Sequence, residues 1–290
     1  MGRLESKVAI ITGAGAGIGE AVAKKFAAEG AAVLIAGLPD DPLEAVMQDI
    51  QEAGRQAAVF AGDLAFQEQA EDCVARAVED FGRVDVLVNN AGMFPATAEL
   101  QDYPPGDFEK MMRANTHTVF HMSRAALPEL HKTRGNIVCT GSGAGLVGIA
   151  NNTPYGGTKA WIHSFARGLA VEQAPHGVRV NCVCPGAVDT AWTHQEQGPF
   201  NAQMEKMVVQ ATPLGRRATA EEIANVFAFV ASDEASYMTG SLVFVDGGIT
   251  IAKGPVGDQV PEEIARPPQG KLDLKHTWEG LEHKTTRQKI

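Results

Sequence analysis

The run Val8-Ala9-Ile10-Ile11, followed at once by Thr12-Gly13-Ala14-Gly15-Ala16-Gly17-Ile18-Gly19, constrains the fold more than any other stretch of the chain. A short β-branched apolar run without polar alternation marks a strand buried on both faces, as in a parallel sheet. Beyond the glycines, Ala21, Val22, Ala23, Phe26 and Ala27 recur at helical spacing. A strand, a glycine-rich turn and a helix in that order aim backbone N–H groups and a helix N-terminus at one point, which suits a pyrophosphate. A tight turn that binds nothing is the lesser alternative.

The same alternation continues along the chain. Apolar strand-like runs occur at 32–36, 57–64, 84–88, 136–140, 178–183 and 241–245. Between them lie helical patterns at about 43–53, 70–81, 107–130, 155–169 and 221–231, the long 107–130 stretch carrying the polar trio Asn115-Thr116-His117. Strands alternating with helices predict an α/β fold: a doubly wound, seven-stranded, mostly parallel, Rossmann-like sheet with helices on both faces. Its crossovers collect the strand-end loops, with their polar residues, on one edge. Residues 1–251 are expected to form this single domain. Within it, 191–213 has weak periodicity and reads as a lid over the substrate. From Ala252 onward Pro255, Pro261, Pro267 and Pro268 occur among mixed charges, and apolar residues thin out. The 252–290 tail is expected to be extended, or packed on the core or a neighbouring subunit through Leu272, Leu274 and Trp278.

Composition narrows the function. The net charge of -10 and the lack of a basic stripe argue against a nucleic-acid partner. No apolar run approaches the ~20 residues of a membrane span, and the first strand begins too early for a signal peptide, so a cytoplasmic protein without a membrane partner is expected. Cys73, Cys139, Cys182 and Cys184 form no CxxC pair and read as small buried hydrophobes in a reducing compartment. His117 and His121 are spaced for one helix face but have no third ligand in view, so no metal is expected.

At the end of the second strand, Gly37-Leu38-Pro39-Asp40-Asp41-Pro42 holds no basic residue. A carboxylate there accepts from a ribose 2′-OH and repels a 2′-phosphate, which favours NAD over NADP without excluding NADP. Helix capping is the other reading of both aspartates. Tyr155 and Lys159, four apart on a helix, put a phenol and an ammonium on one face about one turn apart. An adjacent cation favours the phenolate and brings the Tyr pKa toward the working range, making the pair a candidate proton-transfer unit. As an isolated pattern, such a pair is common on helix surfaces.

Taken in order, the motif Thr12-Gly13-x-x-x-Gly17-x-Gly19, Asp63, Asn89-Asn90-Ala91-Gly92, Asn115, Ser142, Tyr155-x-x-x-Lys159 and Pro185-Gly186 resembles the short-chain dehydrogenase/reductase family, in its single-domain group of ~250 residues. The resemblance covers about 7–248 and leaves the tail outside. It implies an NAD(P)-dependent oxidoreductase acting on a secondary alcohol or ketone, and a homo-oligomer, tetramer or dimer. Tyr155 would be the general acid/base, Ser142 would hold the substrate oxygen, and Lys159 would tune Tyr155 and bond the nicotinamide ribose. Asn115 would hold a water linking Lys159 to solvent. Gly13, Gly17, Ile18, Gly19, Asp63, Leu64, Asn89, Ala91, Gly92, Pro185, Gly186, Val188 and Thr190 would line the cofactor site, with Tyr155 and Lys159. Phe94, Ala144, Trp192 and His194 would face the substrate. Read without the family, Ser142 is also a plain turn residue and Asn115 a helix-kink residue. A protein of this fold that binds a dinucleotide without catalysis, as a sensor or scaffold, is the alternative; such proteins lose the Tyr or the Lys, and both are present.

Overall fold

Strand β1 (Val8–Thr12) is buried along its whole length, with β2 (Ala32–Gly37) on one side and β4 (Val86–Asn89) on the other. In the computed structural model, residues 2–190, 202–268 and 270–272 are described, without the side chains of 202–204. β3 (Ala57–Ala61), β5 (Asn136–Thr140), β6 (Arg179–Pro185) and β9 (Leu242–Val245) complete a seven-stranded sheet in the order β3-β2-β1-β4-β5-β6-β9. Every pairing in it is parallel. The order reverses between β1 and β4, the crevice where open α/β sheets bind ligands.

Period-two alternation divides the strand residues between two cores. Ala9, Ile11, Val33 and Ile35 pack with Val22 and Phe26 of α1 (Gly17–Ala28), Val46 of α2 (Leu43–Glu52) and Phe227 of the last helix (Ala220–Ala231). Ile10, Leu34, Leu87 and Ile137 face the opposite side. There they meet Val74 of α3 (Gln67–Phe81), Met122 of α5 (Thr118–Thr133) and Ile162 of α6 (Thr153–Gln173). The Ala220–Ala231 helix starts from a capping box between Thr219 and Glu222.

Three features differ from the sequence expectation. β4 begins at Val86 rather than Val84, because the Asp85 carboxylate accepts from Val8 N–H (2.9 Å) and is bound by Arg83. The 107–130 helical stretch is two helices, α4 (Pro105–Met112) and α5, joined by a π-helical turn at Arg113–His117. A second, two-stranded parallel ladder pairs β7 (Val188–Asp189) with β8 (Ala218–Thr219). Within 191–213, Ala202–Ala211 is a helix, α7, which makes the Ala220–Ala231 helix α8. Asp258 of the following segment accepts from Gln210 on α7 (2.8 Å), and Lys271 N–H reaches Glu221. Leu274 and Trp278 lie outside the described residues.

Candidate active site

The glycine-rich turn is held against the tip of β4 by polar side chains. Thr12 Oγ1 accepts from the N–H groups of Asn90 (2.9 Å) and Ala91 (3.0 Å) and donates to Val88 O (3.3 Å). Asn90 Nδ2 donates to Thr12 O and Gly13 O, while its Oδ1 accepts from Thr140 Oγ1 at the tip of β5 (3.2 Å). The tips of β1, β4 and β5 are thereby joined. Gly13 takes φ +61°, and a Cβ there would approach Ala91 Cα to 2.8 Å. A Cβ on Gly19 would strike Gly13 O, so α1 comes as close to the turn as backbone can. Ala16, before the first turn of α1, is extended and provides no side-chain cap. The first-turn N–H groups of α1, the helix dipole and the glycine-rich turn with only small side chains before Ile18 fit a pyrophosphate. Ile18 follows on α1, and Thr190 lies 3.5 Å from where a Cβ on Gly17 would stand, which brings the end of β7 to the same turn.

Asp63 and Leu64 close the β3 side. Asp63 accepts from Ala65 N–H (3.0 Å) and from Arg113 (2.7 Å), whose guanidinium also covers the Phe66 ring. Asn89 turns the other way: it is buried and donates to Ser123 on α5 (2.9 Å). Its side chain therefore belongs to the packing behind the sheet, and Asn90 is the residue that meets the turn. Alternation along β4 accounts for the difference.

The π turn carries Asn115 into the site. Buried completely, it accepts from Met93 N–H (2.7 Å) and donates to Met93 O (3.0 Å) and to Thr158 Oγ1 (3.0 Å). A π bulge displaces one residue from the regular helical ladder, which frees the Asn115 amide to engage both. Thr158 in turn donates to Tyr155 O (2.8 Å).

Tyr155 and Lys159 rise from α6 as expected, with Ser142 opposite at the tip of β5. Ser142 Oγ accepts from Ala144 N–H (3.2 Å) and hydrogen-bonds the Tyr155 phenol. Burial pushes that phenol up to about 12, against the downward pull of the Ser142 bond. The expected lowering by Lys159 is absent. Its ammonium lies 5.6 Å from the Tyr155 ring centroid and donates to Thr140 O (3.0 Å). Burial also brings Lys159 down to about 8, opposed by the thiols of Cys182, Cys184 and Cys139, so it stays charged at neutral pH.

Phe94 packs on Tyr155 with ring centroids 4.7 Å apart. The Ala144 carbonyl is at the first turn of α6, 2.9 Å from where a Cβ on Gly156 would be. Phe94 thus borders the Tyr155 ring, and Ala144 lies against the start of α6. Trp192 and His194 lie outside the described residues. Pro185 ends β6, and Gly186 N–H donates to Val245 O (3.1 Å), with Val188 buried beside them. Ala91 and Gly92 lead to Met93, and a Cβ on Gly92 would be 3.0 Å from Asn115 Oδ1.

Sequence reasoning passed over Asn90 and Thr140 as site builders, and Thr158 as the link from Asn115 to α6. Their signal was positional: each stands at a strand tip or one residue from a named site residue. Also missed was His163, which faces Cys184 Sγ at 3.3 Å behind Ser142.

The chain matches the family model described as "Enoyl-(Acyl carrier protein) reductase" over residues 13–250. It is 38% identical over 252 residues to L-rhamnose 1-dehydrogenase (NAD(P)(+)) of Sphingomonas sp. (strain SKA58), covering 86% of this chain and 98% of that protein. It is 37% identical over 256 residues to meso-2,3-butanediol dehydrogenase of Serratia marcescens, covering 87% and 98%. Among solved structures, a short chain dehydrogenase from Burkholderia cenocepacia J2315 in complex with NADP superposes with a TM-score of 0.78 at 34% identity, covering 85% of this chain and 99% of that one.

Proposed function

Because the chain belongs to the short-chain dehydrogenase/reductase family, oxidoreductases acting on CH–OH groups, we propose that it moves a hydride between NAD and a secondary alcohol or its ketone, with Tyr155 as general acid/base. The observation that carries this reading is the convergence of Ser142, Tyr155 and Lys159 beside the glycine-rich turn, with the Ser142 hydroxyl on the phenol. The nicotinamide cofactor, when bound, accepts or supplies the hydride. The Gly13–Gly19 turn and the uncapped N-terminus of α1 would hold its pyrophosphate, and Lys159 its nicotinamide ribose.

The chain's own residues handle the proton. A substrate oxygen accepting from both Ser142 and Tyr155 is fixed where the phenol can donate to a developing alkoxide or, in the reverse direction, take the hydroxyl proton. The Lys159 ammonium lies 5.6 Å from the Tyr155 ring centroid, beside the group that exchanges the proton. Its bond to Thr140 O fixes it at the strand tip. Phe94 gives the substrate side an apolar wall, and Leu146 and Ile149 are exposed in the segment that follows Ala144 in the chain. This favours an alcohol with an apolar flank.

NAD is preferred because of Asp41. Its carboxylate accepts from Leu38 N–H (2.8 Å) and stands 2.6 Å from where a Cβ on Gly37 would be, at the end of β2. Burial raises its pKa, against the Leu38 bond, but a carboxylate here still opposes a 2′-phosphate. We further read the protein as cytoplasmic, consistent with four buried free thiols, and as a homo-oligomer, consistent with exposed Phe108, Phe120 and Trp161. The decisive test is a steady-state assay with NAD and NADP over sugars, diols and other secondary alcohols. Turnover of at least one, faster with NAD and reduced about 10³-fold in Tyr155→Phe, is expected. Cofactor binding without turnover on any of them would instead identify a sensor.

A further inference from the structure

Tyr155, Lys159 and His163 recur every four residues along α6 and so form one stripe of a single helix. The first two are used by the proposed proton transfer, and the third is not. His163 is 5% exposed, with its ring edge-on to Phe244 of β9 at 6.2 Å between centroids. The loop that carries Ser142 crosses the same ring.

That loop leaves the sheet at Gly141, whose N–H still donates to Val183 O (2.7 Å). Ser142 is the first residue beyond the ladder, and its N–H donates to a side chain, His163 Nε2 (3.4 Å). Glycines stand on both sides of the serine where the backbone meets the imidazole. A Cβ on Gly141 would lie 2.6 Å from Nε2, and one on Gly145 would lie 2.6 Å from Cε1 and 2.8 Å from the Lys159 carbonyl carbon. The loop therefore rests on the ring and on the α6 backbone at distances only glycine permits. Proton placement follows from the same contacts. A backbone N–H only donates, so Nε2 must offer its lone pair. The Cys184 thiol, 3.3 Å from that nitrogen, is placed to donate to it as well. The ring is then neutral, with its proton on Nδ1.

We propose that His163 is a positioning residue for the reaction: by accepting from the Ser142 N–H it holds the Ser142 hydroxyl in register with the Tyr155 phenol. Tyr155 belongs to α6, and Ser142 is tied to the same helix through a ring about two turns further along. The two groups that meet the substrate oxygen thus share one rigid support, which fixes their separation more closely than a free loop would. The inference rests on the proposed role of Ser142 and adds the residue that places it.

His163→Leu keeps the bulk and deletes the acceptor. Its kcat is expected to fall by about 10–100-fold, while KM and cofactor affinity each change by less than about 3-fold. His163→Gln, whose Oε1 reaches the Nε2 position, is expected to bring kcat back to within about 5-fold of wild type. Where Ser142 is already Ala, His163→Leu is expected to cost less than about 2-fold more, because the two residues act as one unit. With folding checked by circular dichroism, an undiminished loss in the Ser142→Ala background would overturn the proposal, as would Gln performing no better than Leu. Nitrogen-15 NMR of the wild-type histidine rings needs no substrate. His163, assigned by the signal missing from His163→Gln, is expected to carry its proton on Nδ1. A proton on Nε2, as in a thiolate–imidazolium pair with Cys184, would sink the idea even in a protein that turns over as proposed. The expected ring state in a protein without turnover would support the His163–Ser142 contact and fail only the proposed function.

Discussion

Asn115 grips the peptide of Met93 from both sides, accepting from its N–H at 2.7 Å and donating to its carbonyl at 3.0 Å. Met93 precedes Phe94, whose ring packs on Tyr155. The π turn between α4 and α5 thus positions the wall of the proposed catalytic phenol through a single side chain.

Replacing Asn115 with Ala removes three hydrogen bonds and leaves the Met93 peptide unpaired. The expected loss is about 2 kcal/mol of stability, measurable by urea denaturation, together with lower kcat as Phe94 and Tyr155 lose their alignment. Unchanged stability would mean that water takes over the Met93 groups.

Tyr155→Phe keeps the ring packed on Phe94 and deletes the proton. kcat is expected to fall by about 10³-fold while cofactor affinity, read by fluorescence titration, stays within about 3-fold. In the wild type, burial raises the phenol, so the acid form prevails at neutral pH. The reductive kcat/KM should therefore be flat through neutral pH and decline only as pH climbs toward the phenol's pKa. Oxidation, which needs the phenolate, should instead accelerate with rising pH. A reductive profile that falls already below pH 8 would contradict this assignment.

Lys159 is lowered to about 8 by burial, so the folded state loses its proton before the unfolded state does. Between about 8 and the ordinary lysine range the unfolded chain binds more protons, and stability contributed by this group rises with pH across that window. Below pH 8 the buried ammonium is a full burden. Lys159→Met removes it while leaving Thr140 O without its donor, for a net gain of about 1–2 kcal/mol at pH 7 and near-complete loss of turnover. Thermal melting at pH 7 and pH 9.5 checks this: the variant's advantage should shrink at the higher pH.

Asp41→Ala combined with Leu38→Arg replaces a carboxylate by a guanidinium at the end of β2. The ratio of kcat/KM for NADP over NAD is expected to rise by about 10–100-fold. A ratio unmoved by both changes would place the 2′-reading group elsewhere.

Much of this molecule was readable before folding. The apolar runs at Val8–Ile11 and Ala32–Ala36 specified buried parallel strands because they are short, rich in β-branched residues and closed by glycine, which a buried helix segment is not. Tyr155 and Lys159 shared a helix face because 3.6 residues per turn requires it. Other features were hidden for definite reasons. Val188–Asp189 and Ala218–Thr219 are too short to show periodicity. The break at Arg113–His117 follows from an Asn115 side chain whose partner, Met93, is distant in sequence.

The glycine-rich turn, the seven strands and the Tyr155–Lys159 spacing were determined by the sequence itself, since they follow from backbone geometry and local apolar pattern. The tertiary structure decided which of Asn89 and Asn90 meets the turn, which way the Tyr155 phenol is pushed, and that His163, Cys182 and Cys184 meet beneath Gly141. Burial and contacts between distant elements set those outcomes, and both exist only once the strands and helices have closed on one another.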